Sequence, residues 1–284
     1  MSVLVRAILL SAFLAAAGAP AVAQEAAATA AKPSLSPEQI EQFLLTSRVM
    51  AARSAPTGVT NSQRVTLSDG RLTHDAHVQN VDIQKNVFNA PGAAPELNFK
   101  DSYRYNIAGY RLARLLGMDN VPVSVERKID GKVAAVTWWV DDVLMDELTR
   151  GKKPEPEKSG PEPARTAMQL QVMRMFDELI QNRDRNAGNL VWTRDYKMWL
   201  IDHTRAFRLG KQLLKPDQIQ RCERSLCDAL RGLTKETLAK GMDKSLTPLE
   251  MDAILARRDL ILKQIDARIA RRGEAVVMFS LAAP

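Results

Sequence analysis

Apolar positions along the chain fall into two regimes. Over residues 57–82 they recur with period two, and Val65 and Leu67 run into Ser68-Asp69-Gly70-Arg71. An Asp-Gly pair between apolar alternations is a strong hairpin signal. A second pair of strands is expected over residues 121–127 and 133–140, joined across Ile129-Asp130-Gly131-Lys132. Between the two pairs, residues 86–97 read as a loop because they hold Pro91, Gly92 and Pro95. Asp101 or Ser102 is then expected to cap a helix that carries Ile107, Leu112, Leu115 and Leu116, with Gly117 placed to end it. Residues 57–142 therefore read strand, strand, helix, strand, strand, a small antiparallel sheet with one helix. Ahead of them, Ser36 is placed to cap a short helical run opened by Pro37 and carrying Ile40, Phe43, Leu44 and Val49.

The back half changes to helical spacing. Residues 151–163 hold Pro154, Pro156, Pro161 and Pro163 among charged residues and exclude a regular element. Beyond them a helix is expected over 166–181, and a last one opens with the capping box Thr247-Pro248-Leu249-Glu250 and stops at Arg271, Arg272 and Gly273. Ile254, Ile261, Ile265 and Ile269 form its apolar stripe. The expected fold is α+β and bilobal. Residues 37–142 make a sheet-rich front lobe, 143–164 a hinge and Pro-rich loop, and 165–284 a mainly helical back lobe.

Composition changes this picture chiefly at the N-terminus. Arg6, the eleven-residue small apolar run 7–17 and Ala21-Val22-Ala23 have the form of an export signal ending at residue 23, followed by a flexible leader over 24–36. The run is shorter than the about 20 residues that span a bilayer, so no transmembrane segment is expected and the protein reads as periplasmic or secreted. Arg6 is the signal's only charged residue, so its removal leaves 261 residues at net +6 from a chain of 284 at +7. That surplus is a weak pointer to anionic partners. Nucleic acid is not expected, because basic residues are not interleaved with exposed aromatics. Cys222 and Cys227, five apart, lie on different faces of a straight helix, so a bridge needs a break between them and the pairing is left open. With three histidines in the chain, of which His74 and His77 alternate on one strand, a zinc site is not expected.

The most informative stretch is 176–207. Apolar runs 190–193 and 198–201 flank Arg194-Asp195-Tyr196-Lys197, a hairpin with a four-residue loop. Pairing indices that sum to 391 would set Trp192 opposite Trp199 and Asn189 opposite Asp202. An amide oxygen and a carboxylate side by side suit magnesium, which keeps waters and substrate phosphates as its other ligands. Asp184 precedes Asn189 by five residues on the preceding loop and is placed to point into the same space. The spacing D-x-x-x-x-N, with a second metal Asp on the next strand, is that of phosphoryl-transfer catalytic loops.

Asp184-Arg185-Asn186-x-x-Asn189 resembles the catalytic loop of phosphatidylinositol 3/4-kinases. Ile201-Asp202-His203-Thr204-Arg205-Ala206-Phe207 resembles the metal-binding segment of type II phosphatidylinositol 4-kinases and secretory-pathway casein kinases. Ile107-Ala-Gly-Tyr110-Arg-Leu112, Leu116-Gly117 and Val121-Pro122 are similar to the helix and strand of the same atypical kinase-like superfamily. The resemblance covers residues 58–210 and implies a protein-kinase-like fold. It implies Asp184 as catalytic base, Asn189 and Asp202 as Mg²⁺ (or Mn²⁺) ligands, and ATP with its adenine near a hinge that includes Trp139 and Val140. Gln79 falls where these families carry the phosphate-binding lysine, Asn106 where they carry its acidic partner, and Lys85 is the candidate replacement. No G-x-G-x-x-G is present, so the Asp69-Gly70 turn or the Gly58 region would cover phosphates. The expected activity is phosphoryl transfer from ATP, to a protein hydroxyl in preference to a lipid. Gln79 and Asn106 keep a second reading in view, a kinase-fold binding module of the cell envelope without catalysis. Lipid phosphorylation or transfer of AMP from the same pocket is a third. Arg185 and Arg205 are expected to pair with local carboxylates, and His203 to support the metal loop.

Overall fold

The computed structural model describes residues 35–281 other than 55–61, 90, 91, 93 and 243. The expected export signal, most of the expected leader and Gly58 lie outside the described residues. Ser36 caps α1 (Pro37–Thr46) in a reciprocal box with Gln39, as its position before Pro37 requires. The chain then turns into β1 (Arg48–Ser54), so Val49 belongs to a strand and not to the helical stripe. β2 (Gln63–Ser68) and β3 (Thr73–Gln79) form the expected hairpin across Asp69-Gly70, with Gly70 at φ +91°. The Asp69 carboxylate accepts the N–H groups of Arg71 and Leu72 in that turn.

Residues 86–97 are not one loop. β4 (Asp82–Phe88) and β5 (Glu96–Ser102) form a separate two-stranded hairpin, with Phe88 stacked on Phe99 at 4.2 Å. Most of β4 is exposed on both faces, including Ile83 and Val87, so it carries no alternation of burial for a pattern to report. α2 (Arg104–Leu115) starts one residue later than a cap at Ser102 would give, with Tyr103 at the N-cap. It ends as expected, with Gly117 left-handed at φ +71°. β6 (Ser124–Ile129) and β7 (Lys132–Trp138) are joined by Asp130 at φ +48° and Gly131 at φ +80°, the pair of left-handed residues that a two-residue hairpin loop needs. The main sheet is antiparallel in the order β1-β2-β3-β7-β6. Both expected helices, α1 ahead of the sheet and α2 within residues 57–142, are present.

β8 (Val143–Asp146) and the short α3 (Glu147–Arg150) lead into the Pro-rich segment, and α4 (Pro163–Ile180) follows. β9 (Leu190–Thr193) and β10 (Met198–Leu200) pair with β8 in a three-stranded sheet, order β10-β9-β8. β11 (Cys222–Glu223) runs into α5 (Arg224–Gly232) and is bridged to it by a Cys222–Cys227 disulfide across a 6.1 Å Cα separation. The strand-to-helix change at Arg224 is the break that a five-residue spacing requires. α6 (Lys235–Met242), α7 (Pro248–Arg272), α8 (Glu274–Val277) and β12 (Met278–Phe279) complete the chain, with β12 parallel to β11. The described residues from Leu35 onward pack as one unit around a core that runs from Phe43 to Phe279. Among the described residues no helix is long and apolar enough to cross a membrane.

The front sheet's helix is tied to α7 by a buried polar knot. Glu250, 2% exposed, closes the capping box of α7 with Thr247 and accepts from Lys100 Nζ at 2.7 Å and Tyr105 Oη at 2.6 Å. Burial pushes the Glu250 carboxyl up, but its hydrogen bonds to Lys100, Thr247 and Tyr105 outweigh that and hold it below 4.5. A depressed carboxyl contributes stability that is fully present above its unfolded value of about 4.5 and is lost as pH falls through the folded value. Glu250→Gln is therefore expected to lower stability at neutral pH by about 3 kcal/mol and to flatten the acid limb below pH 4.5, measured as urea-unfolding free energy against pH. An acid limb identical to that of the parent protein would refute it.

Candidate active site

The site grows from the C-terminus of α4. Helix geometry stops where Gln181 takes φ +48°, and the next residues are tied back onto the helix. Asn182 Nδ2 donates to Asp177 Oδ1 at 3.3 Å, and Asn182 Oδ1 accepts the N–H of Asp184 at 3.1 Å. Arg185 completes the fastening. Its Nε reaches Asp177 Oδ2 at 2.9 Å, while Nη1 donates to the carbonyls of Asn189 at 3.0 Å and Ile201 at 2.7 Å. One guanidinium thus holds the helix end, the catalytic-type loop and both strands of the hairpin base. Asn186 caps the single turn Ala187–Asn189 through Gly188 N–H, and β9 follows directly. Arg185 thus pairs with a local carboxylate, as expected.

The hairpin register differs from the sequence expectation by one residue. Trp192 lies opposite Met198, Val191 opposite Trp199 and Leu190 opposite Leu200, an index sum of 390 in place of 391. Thr193 N–H donates to Lys197 O, and Tyr196 is left-handed at φ +56°, so the loop has three residues, 194 to 196, and not four. Ile201 N–H then donates to Asn189 O at 3.1 Å, and Asp202 sits one position beyond its expected partner Asn189. Trp192 is fully buried, its Nε1 donating to Glu147 at 2.8 Å.

Asp202 is exposed and left-handed, φ +53°. Its Oδ1 accepts from Thr204 Oγ1 at 3.0 Å and from Thr204 N at 3.3 Å. The residue after it is anchored on α2, where His203 N–H donates to Asn106 Oδ1 at 2.7 Å. Asn106 therefore serves the segment that carries Asp202, and among the described residues no acid–lysine pair stands at that point. The His203 ring is packed edge-on to Phe176 at 5.9 Å and against Gly109, whose missing Cβ would stand 3.0 Å from His203 Cγ. Burial, with Arg185 nearby, drives the His203 pKa well below its usual value, so the imidazole is neutral and supports the loop.

Two carboxylate features escaped sequence reasoning. Asp101, at the end of β5, is 9% exposed and its Oδ1 has no hydrogen-bond partner. Its pKa is raised by burial first and then by the negative charges of Asp202 and Asp184, which places the three acids in one electrostatic neighbourhood. Glu96 gathers three arginines, with Arg208 Nη2 at 2.7 Å, Arg205 Nη2 at 3.2 Å and Arg183 Nη1 at 3.9 Å. Arg205 also reaches Asp184 Oδ1 at 3.5 Å, so it pairs with local carboxylates as expected. The signal for the cluster was the spacing of Arg205 and Arg208, but its acid lies on the strand read as a loop.

The remaining candidates are placed as follows. Lys85 is exposed on β4 with its ammonium 5.3 Å from the Phe88 ring centre, and makes no ion pair with Asp184 or Asp202. Gln79 is buried at the end of β3, where its Oε1 accepts Val81 N–H at 3.3 Å. Trp139 and Val140 follow β7 and are half-buried. Trp139 lies under the Arg64 guanidinium at 4.0 Å and donates its N–H to Asp75 O at 3.2 Å. For magnesium, the donor chemistry fits. The Asn189 side-chain amide makes no hydrogen bond within the described chain, and Asp202 keeps Oδ2 clear of hydrogen-bond partners. Two such oxygen donors suffice for an ion that retains waters and phosphates. Among the described residues no three His, Cys, Asp or Glu side chains come together as an all-protein metal cage. No protein-family model matches the chain, and no curated protein matches it.

Gly109→Ala puts a methyl group against a buried imidazole whose backbone is tied to Asn106 and whose ring is blocked by Phe176. The expected cost is about 1–3 kcal/mol of stability, read as a lower urea midpoint with an unchanged slope. A variant as stable as the parent would show that the His203 segment yields freely.

Proposed function

We propose that the protein is a Mg²⁺-dependent phosphotransferase of the atypical kinase-like type that uses ATP and acts outside the cytoplasm. One observation carries the reading. Arg185 ties the Asp184–Asn189 loop to the carbonyl of Ile201, so that Asp184, Asn189 and Asp202 emerge at one end of a rigid hairpin. The bilobal kinase-like arrangement, with a hinge at Trp139 and Val140, belongs to the same proposal, as does export. The bridged Cys222–Cys227 pair suits an oxidising compartment.

In this reading Asp184 takes the proton of the acceptor hydroxyl. Asn189 and Asp202 hold the metal, which when bound neutralises charge on the nucleotide phosphates. Arg205, 3.5 Å from Asp184, supplies positive charge where the transferred group passes. The Lys100 ammonium is committed to Glu250 and Lys85 lies in solvent, so neither is assigned to the phosphates. A protein hydroxyl is the preferred acceptor.

That placement of the two lysines favours a second reading, a nucleotide-binding envelope module without transfer. Lipid phosphorylation and AMP transfer are distinguished by the mass added to the acceptor. The test is a thermal shift with Mg²⁺ and ATP, followed by label transfer. Stabilisation is expected for the parent protein and for Asp184→Asn, and is lost in Asp202→Ala. Transfer by Asp184→Asn is expected to fall about 10²–10⁴-fold, the share a general base contributes. Nucleotide binding without transfer in the parent protein selects the binding module. Absence of any nucleotide response defeats both.

A further inference from the structure

The arginine cluster around Glu96 borders a cavity of about 210 Å³ lined by Asn98, Gln181, Arg183, Arg208 and Gly210, among others. That volume is below the about 300–1,000 Å³ of pockets that enclose a whole small molecule. It suits a single functional group. Its walls set Arg183, Arg208, Asn98 and Gln181 beside Leu97 and Leu209. Three guanidiniums share the one Glu96 carboxylate, which leaves a surplus of positive charge even after Arg205 reaches Asp184. Arg208 is 7% exposed, and its Nε is a buried donor without a hydrogen-bond partner. A buried donor left unpaired costs about 1–3 kcal/mol, and an oxyanion in the cavity would relieve that cost.

The backbone around the cavity is held in unusual conformations. Asn98 at φ +52° and Gln181 at φ +48° both line it, and Phe207 at φ +56° precedes Arg208. Gly210 lies so close to the Gln181 amide that a Cβ would stand 2.7 Å from its Oε1. Arg257, fully buried on α7, donates to the carbonyls of Arg208 and Gly210 and so fixes the segment from behind. Left-handed non-glycine residues persist where the surroundings over-determine them, and they collect at ligand clamps.

We infer that this cavity is an oxyanion site that binds a phosphate monoester carried by the acceptor, next to the hydroxyl that Asp184 would activate. A phosphate monoester carries about −1.5 to −2 charges at neutral pH and several strong acceptor oxygens. That matches the forked donors of a cluster with surplus positive charge better than a singly charged carboxylate does. The assignment of the phosphate to an acceptor rests on the phosphotransferase reading, whereas binding of the anion does not. Arg205 links the two places by touching both Glu96 and Asp184.

The experiment measures binding of inorganic phosphate and of phosphoserine by calorimetry, without nucleotide, against chloride at matched ionic strength. Both are expected to bind saturably to the full chain. Arg183→Gln alters a half-exposed rim residue and is expected to weaken both by about tenfold or more, the effect of losing one charge-assisted contact. Asp202→Ala is expected to leave both unchanged while abolishing the Mg²⁺–ATP response, so that the anion site and the phosphotransferase reading fail separately. No saturable phosphate binding, or binding that survives Arg183→Gln, overturns the site. Loss of binding in Asp202→Ala would place the anion at the metal ligands and also overturns it. Binding of inorganic phosphate with phosphoserine excluded overturns the acceptor assignment.

Discussion

The geometry of the candidate site depends on one ion pair. Arg185 and Asp177 are 9% and 12% exposed, and the guanidinium spends its remaining donor capacity on the carbonyls of Asn189 and Ile201. Removing one partner of a buried pair leaves an uncompensated charge and costs about 3–5 kcal/mol, more than a surface pair ever contributes. Here the consequence is also geometric. The loop between α4 and β9 has no regular structure beyond one turn, and Arg185 is the side chain that bonds both its helix end, at Asp177, and the carbonyls of Asn189 and Ile201, beside the backbone bond from Ile201 N–H to Asn189 O. Lysine cannot replace it, since a point charge has no fork to bond a carboxylate and two carbonyls in fixed directions.

Behind that clamp, the segment after Asp202 is held by side chains from three helices. Asn106 of α2 takes His203 N–H, Glu178 of α4 accepts the N–H groups of Leu214 and Lys215, and Arg257 of α7 donates to Leu179, Arg208 and Gly210. Burial lowers the Arg257 pKa to about 10, still high enough to keep it cationic at neutral pH. Irregular backbone inside a protein needs such partners, because its polar groups have no ladder to satisfy them. These buried polar contacts join the front sheet's helix to the helical half, with the Lys100–Glu250–Tyr105 knot beside them.

Much of this was legible where local chemistry decides structure. The Ser36 N-cap, the Thr247 capping box and the Asp130-Gly131 turn follow from residue type and spacing, and the structure contains all three. The β4–β5 hairpin was not legible, since a strand exposed on both faces has no periodic signature and its partner was hidden by prolines. The Glu96 cluster was missed for the same reason. Asn106 looked like a lost acid from spacing alone; only the tertiary contact with His203 shows what it holds. The disulfide pairing stayed open because it turned on a strand-to-helix break at Arg224 that no composition signal marks.

The one-residue slip of the β9–β10 hairpin is the most instructive difference. In an extended antiparallel pair, a slip of one residue sends a side chain to the opposite face. With Asn189 paired to Ile201, an extended Asp202 would stand on the face away from Asn189, and a shared metal would be impossible. Asp202 is not extended. Its left-handed φ of +53° breaks the alternation at that residue, and the two hydrogen bonds from Thr204 stabilise the turn. Aspartate tolerates that conformation better than most residues because its short carboxylate bonds locally to the backbone. A β-branched residue there would be forced back toward extended geometry. In the phosphotransferase proposal the requirement at position 202 would be double, an oxygen ligand and a residue at ease with positive φ, and aspartate can meet both.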